Sequence, residues 1–266
     1  MSQELELHVT EVGHGPRVVL IHGGDPGGGA PAFDAQKDLE KRWTLVMPDR
    51  PGHGRTPRHG REDFERDAKL LSPLIAEQPA HLVGHSYGGI VALYIAARQP
   101  DSVRSLVLIE PPAFWFAPDN PAVAEMARSN RELFENPPDD PVEMIKRFFA
   151  LVGMNFPLPD DLPMPRPQPL VDIAKVLGDI RGPDEGNIAV GSLIAGGYPI
   201  LVLTSGRIAG FEGIAEAIAA QTGGEHLVIT GTDHAVQKNG DAVNPLLERI
   251  WLNAAKSPEL QADRPR

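Results

Sequence analysis

The segment from His81 to Leu93, HLVGHSYGGIVAL, constrains this chain more than any other stretch. An apolar run ends in Gly84-His85-Ser86-Tyr87-Gly88, a G-x-S-x-G pattern, and a second apolar run from Ile90 to Ala97 follows at once. That order predicts strand, sharp turn and helix. In such a turn the serine takes a strained backbone conformation, the flanking glycines leave it room, and its hydroxyl stands exposed at the head of the helix. The helix N-terminus then offers backbone N–H groups to a developing anion. Taken alone, the same pattern also occurs where Gly, Ser and His merely punctuate a strand-to-helix loop, so its meaning rests on the rest of the chain.

Around this segment, strand and helix patterns alternate. Residues 4–12, ELELHVTEV, alternate like a half-buried strand, and Gly13 to Pro16 mark a turn. Apolar runs at 18–21, 43–47, 103–109, 199–204 and 226–230 predict further strands, those at 18–21 and 103–109 buried on both faces. Helical spacing appears over 64–77, 90–97, 211–221 and 241–255. The alternation predicts an α/β fold with a doubly wound, mostly parallel sheet, in which functional groups gather at the C-terminal ends of the strands. Residues 113–190 break the rhythm with helical patterns at 121–135, 141–153 and 168–180, and with the proline-rich connector NFPLPDDLPMPRPQP. The expected organisation is a core in two parts, 1–112 and 191–256, an inserted helical cap at 113–190, and a fraying tail at 257–266.

Composition narrows the partners. The formal net charge of −11, without a run of Lys or Arg, argues against nucleic acid and against a membrane surface. There is no cysteine, which removes disulfides, thiolate nucleophiles and Cys-based metal sites. The N-terminus MSQELELHVTEV lacks the pattern of a signal peptide and no apolar stretch reaches membrane-spanning length, so a soluble, cytoplasmic protein is expected. The glycine-rich loop His22 to Gly29 is not followed by the Lys-Ser/Thr of a phosphate loop and lacks a G-x-G-x-x-G leading into a helix, so no nucleotide cofactor and no metal are expected. Oligomeric state, a homodimer included, is left open.

Several strand-end loops carry chemistry. Serine hydrolysis needs a nucleophile, a histidine, a buried acid and two N–H donors for an oxyanion. Ser86 supplies the first, His234 in the loop after the last strand the second, and the backbone of Gly24 and Tyr87 the donors. Asp49, Arg50 and His53 crowd the turn PDRPGHGRT, where the Pro and Gly spacing favours a turn-forming role. Aromatic residues concentrate in the insertion: Phe114, Phe116, Phe134, Phe148, Phe149 and Phe156 belong to that neighbourhood, joined by Trp115, Met126, Met144 and Met154, a concentration that suggests an apolar lid over the strand ends. Half or more are needed for the insertion's own core, and Phe114, Trp115, Phe148 and Met154 are the candidates for substrate contact.

The pieces VLIHGG (19–24), DRPGHGRT (49–56), GHSYGG (84–89) and GTDHAVQ (231–237) together resemble the α/β-hydrolase superfamily, over nearly the whole chain, with 113–190 at the position of that family's cap. The resemblance implies a nucleophile elbow at Ser86, a catalytic histidine at His234, and an oxyanion hole from the Gly24 and Tyr87 N–H groups. One departure matters. Most of the family carries its acid after the strand before the last, and here that position reads Gly206-Arg207-Ile208-Ala209, without a carboxylate. A subset carries it one strand earlier, and IEPP at 109–112 is similar to the HEPP-type sequence of the fungal zearalenone lactonases. That resemblance selects Glu110, with Glu212 and Asp233 in reserve. The expected activity is metal-free hydrolysis of an apolar or aromatic carboxylic ester or lactone through an acyl-enzyme. C–C bond hydrolysis or cofactor-free perhydrolysis by the same triad is the alternative, and non-catalytic small-molecule binding the reading from another class.

Overall fold

The structure, a computed structural model, is described over residues 5–76, 78–155, 157–159 and 162–254. Seven strands form one sheet in the order β1-β3-β2-β4-β5-β6-β7. They are β1 (Val9–Gly13), β2 (Arg17–Ile21), β3 (Thr44–Pro48), β4 (Ala80–His85), β5 (Val103–Ile109), β6 (Ile200–Thr204) and β7 (Glu225–Val228). Only β1 runs antiparallel, with Val9 opposite Pro48 and Gly13 opposite Thr44, and every other pairing is parallel. The helices are α1 (Gly29–Ala32), α2 (Phe64–Leu71), α3 (Pro73–Ala76), α4 (Tyr87–Arg98), α5 (Pro121–Glu135), α6 (Pro141–Val152), α7 (Gln168–Gly178), α8 (Val190–Ile194), α9 (Ala209–Thr222) and α10 (Gly240–Ala254).

The strands read as apolar runs because both faces of the sheet are covered. Side chains alternate between faces with a period of two, so neighbouring residues enter different cores. Val19, Ile21, Leu106 and Leu108 pack in the larger core with Phe64, Ile90 and Phe211, from α2, α4 and α9. Val18, Leu20, Val107 and Ile109 pack in the second with Phe33, Trp43 and Trp251, the last from α10. Helix α4 is buried from Tyr87 through Ala96, as a helix that is apolar all round must be. Its approach to the sheet depends on Gly88, where a Cβ would lie 2.3 Å from the carbonyl oxygens of Ile21 and His22.

Between β5 and β6 the chain builds a helical layer. Asn120-Pro121 and Asp140-Pro141 start α5 and α6, the Asn and Asp side chains accepting hydrogen bonds from Val123 N–H and Val142 N–H, with proline at the first helical position. Gly153 ends α6 in the left-handed conformation. Leu133, Met144, Ile145 and Leu177 form a small separate core there. Helix α5 packs on α9, and α8 packs on α4.

Several boundaries differ from the sequence reading. The helix expected over 64–77 divides at Ser72, because Pro73 has no N–H to donate and restarts the helix instead of continuing it. Helix α4 begins at Tyr87, taking Gly88 and Gly89 into its first turn, and β1 is shorter than the alternation at 4–12 suggested. Glu4, Glu77, Ala255, the tail at 257–266 and Phe156 lie outside the described residues. Among the described residues no helix is long and apolar enough to cross a membrane.

Candidate active site

The turn between β4 and α4 holds Ser86 at φ 53°, ψ −127°. A side chain at positive φ is strained, and the surroundings hold it there: Ser86 N–H donates to Ile109 O at 2.8 Å, and a Cβ on Gly23 would come within 2.7 Å of Ser86 Cβ. From this point a line of hydrogen bonds runs inward. Ser86 Oγ lies 2.9 Å from His234 Nε2, and His234 Nδ1 lies 2.6 Å from Glu110 Oε2. A carboxylate only accepts, so Nδ1 carries the proton and Nε2 accepts from the serine hydroxyl. Glu110 Oε1 in turn accepts from Ser205 N–H at 2.7 Å and Ser205 Oγ–H at 2.6 Å. Glu110 is fully buried and is itself at positive φ, 43°, where β5 gives way to Pro111-Pro112. Phe211 stacks on the His234 ring at 5.0 Å with 19° between planes.

The structure therefore brings Ser86, His234 and Glu110 together, and it places both reserve acids elsewhere. Asp233 accepts from Ala235 N–H and Asn155 N–H, and Glu212 accepts from Gly206 N–H. Ser205 and Phe211 were not singled out in the sequence. The only local signal for Ser205 is its place directly after β6, beside the loop Gly206-Arg207-Ile208-Ala209 that carries no carboxylate.

A second buried polar group lies on the other side of the serine. Arg50 donates to His22 O at 2.9 Å, Gly23 O at 2.7 Å, Glu62 Oε1 at 2.6 Å and Asp67 Oδ2 at 3.0 Å. His53 faces Glu62 Oε1 through Nε2 at 2.5 Å and Asp25 O through Nδ1 at 2.9 Å. Burial pushes the Asp67 carboxyl up to about 6, against the pull of Arg50. Burial is the strongest single influence on Glu62 and acts to raise it, but Arg50 and His53, by charge and hydrogen bond together, outweigh it and hold that carboxyl below its ordinary range. Desolvation drives His22 and His85 well below the usual histidine value, so both rings stay neutral. His22 Nε2 accordingly accepts from Arg50 N–H. Asp49 has the turn-forming role expected of it, accepting from Gly29 N–H and Arg55 N–H.

The serine opens onto a cleft lined by Gly24, Glu62, Ser86, Tyr87, Pro112 and Phe211 on the sheet side. The facing wall includes Met126, Asn130, Phe148, Val152, Val176 and Leu177. Tyr87 is the first residue of α4, so its N–H has no carbonyl four residues back within the helix and is free to serve a ligand, and Gly24 lies on the same cleft. Of the four expected substrate contacts, Phe148 alone is among the cleft residues. Phe114 is buried in the larger core, Trp115 lies against Gly186 and Tyr94, and Met154 packs against the larger core. An aromatic-rich insertion signals apolar burial without revealing which side chains face the cavity.

Comparison with known proteins bears on the family and the fold. A family model described as alpha/beta hydrolase fold matches residues 16–144. The chain is 37% identical over 157 residues to a pimeloyl-[acyl-carrier protein] methyl ester esterase of Chromobacterium violaceum, a match that covers 58% of this chain and 59% of that relative's length. It is 31% identical over 197 residues to the enzyme of the same name from Vibrio atlanticus, covering 68% of this chain and 73% of the other. A thermophilic esterase from Thermogutta terrifontis superposes with a TM-score of 0.62 over 94% of this chain and 95% of its own, at 23% identity, a likeness of fold.

Proposed function

The chain belongs to the α/β-hydrolase superfamily, and from that footing we propose that it hydrolyses carboxylic esters or lactones through an acyl-enzyme on Ser86. One observation carries the reading: the unbroken line Ser86 Oγ, His234 Nε2, His234 Nδ1, Glu110 Oε2, ending at the mouth of an apolar cleft. Ser86 Oγ attacks the acyl carbon while His234 Nε2 takes its proton. Negative charge moves to the former carbonyl oxygen, and the N–H groups of Gly24 and Tyr87 stabilise it, each donor contributing about 10²- to 10³-fold. Collapse expels the alkoxide, which receives the proton from His234. A water then gives its proton to the same nitrogen, attacks the acyl-enzyme, and releases the acid with Ser86 restored. Glu110 accepts from His234 Nδ1–H throughout, fixes the histidine tautomer and stabilises the imidazolium.

The cleft wall of Met126, Phe148, Val152, Val176 and Leu177 suits an apolar acyl or aryl group. The relatives named above are methyl ester esterases, which favours an open-chain ester of a small alcohol as the first substrate to try. A panel of short, long and aryl esters and lactones, run with a fluorophosphonate probe, tests the proposal. Labelling and turnover are expected in the wild type, with turnover falling about 10⁶-fold in Ser86→Ala. Unchanged labelling of that variant sinks the nucleophile. Labelling of the wild type without turnover on any member of the panel points to C–C bond hydrolysis instead.

A further inference from the structure

The buried face of α5 carries Val123, Met126, Asn130 and Leu133, so one polar residue interrupts an apolar stripe at helical spacing. Asn130 is 4% exposed and lines the cleft beside Met126, one turn away on the same face. Its Oδ1 is buried and has no hydrogen-bond partner. A buried carboxamide oxygen without a donor is destabilising; the other residues of this wall are aliphatic or aromatic and the Glu62 carboxylate on the same cleft only accepts, so no neighbouring side chain relieves it. Elsewhere in the insertion, polar side chains of this kind are used locally: Asn120 and Asp140 cap helices and Arg166 pairs with Asp140. Asn130 does none of these.

We propose that Asn130 is a specificity-determining residue, its Oδ1 accepting a hydrogen bond from an O–H or N–H group on the otherwise apolar substrate. The substrate class is thereby an ester or lactone with a hydrogen-bond donor set along its apolar chain or ring, such as a hydroxyl or a secondary amide. The inference rests on the ester-hydrolase reading, because it takes the cleft at Ser86 as the substrate site. A ligand lacking the donor leaves Oδ1 buried and unpaired, and sites built around a polar partner reject such analogues more strongly than apolar pockets reject a change of size.

The test uses ω-hydroxy and ω-methoxy phenyl alkanoates of graded chain length, twins that share every acceptor and differ in the donor. At the chain length that reaches Asn130, the wild type is expected to favour the hydroxy twin in kcat/KM by about tenfold to a hundredfold. Asn130→Leu should abolish that preference while keeping or raising turnover of the methoxy ester. Asn130→Ala serves as the second variant should leucine disturb packing, with thermal melting run on both. The same preference should appear as tighter binding of the hydroxy twin to Ser86→Ala, where no turnover is needed. Equal handling of the twins by the wild type at every length, or a preference that survives both substitutions, overturns the role of Asn130. Absence of ester turnover together with absence of fluorophosphonate labelling is the separate failure of the hydrolase reading, and the binding measurement on Ser86→Ala still decides whether Asn130 selects a donor.

Discussion

Two buried polar groups flank the turn at Ser86, and they are built differently. The line from Ser86 through His234 and Glu110 to Ser205 runs residue by residue in one direction, with one end open to the cleft. Two of its members, Ser86 and Glu110, sit at positive φ, and they are the only non-glycine residues among those described that do. The cluster around Arg50 is cross-linked instead: one guanidinium meets two carboxylates and two backbone carbonyls, and His53 shares the carboxylate of Glu62, which also lines the cleft. A line whose histidine must take and return a proton needs an open end and a single direction. A cluster tied together through one guanidinium holds position, and here it holds the carbonyls of His22 and Gly23, immediately before Gly24. Function is carried where backbone strain has accumulated, beside a hydrogen-bonded cluster that fixes the backbone next to it.

Substitutions on the two sides should separate these roles. Glu110→Gln turns an amide N–H toward Nδ1 and favours the wrong tautomer, so turnover should fall about 10³- to 10⁴-fold with little change in the urea midpoint. Arg50→Met should do the reverse, since it leaves Glu62 and Asp67 buried without a counter-charge. A loss of about 3–5 kcal/mol in unfolding free energy is expected, larger than its effect on the rate of fluorophosphonate labelling measured on folded protein in the cold. If Arg50→Met instead keeps its stability and loses turnover as Glu110→Gln does, the contrast between the two groups collapses. Ser205→Ala removes one of two donors to Glu110 Oε1 and should cost about tenfold in kcat with KM nearly unchanged.

The smallest effect is on pH-dependent stability. His22 and His85 are held neutral by burial, so the unfolded chain binds more protons than the fold once pH falls below about 6.5, and their stabilisation is lost on acidification. Asp67, raised by burial to about 6, acts in the opposite sense: its contribution is present below the ordinary carboxyl value and is lost as pH rises through about 6. Urea midpoints should therefore decline from about pH 7 to about pH 5, and decline more steeply in Asp67→Asn, where the opposing group is gone. An equal slope in the variant removes Asp67 from the account.

Much of the sheet and the line at Ser86 was legible because both are written in local pattern. Apolar runs mark strands buried on two faces, and Ser86, Glu110 and His234 each stand at or just beyond a strand's C-terminal end. What could not be read depends on contacts between distant segments. Ser205 matters because β6 lies beside β5, and Glu62 and Asp67 matter because they meet Arg50. Phe114 and Trp115 looked like a lid because aromatic residues cluster there. The wall of the cleft uses Met126 and Phe148 from that same cluster, but joins them to Asn130 from α5 and Val176 and Leu177 from α7, residues with no signature beyond helical spacing.

The position of Glu110 also bears on the order in which the molecule assembles. Ser86 and Glu110 belong to one crossover, β4-α4-β5, whose two strands pair directly, so the nucleophile and the acid are brought together by nearby chain. His234 is 148 residues from Ser86 and 124 from Glu110, and it arrives only after β6 has added beside β5 and β7 beside β6. An acid placed after β6 would have made two late arrivals, and here there is one. Contacts of such sequence separation form slowly in folding chains, so the appearance of a reactive Ser86 during refolding times the docking of the C-terminal third rather than the collapse of the sheet's centre.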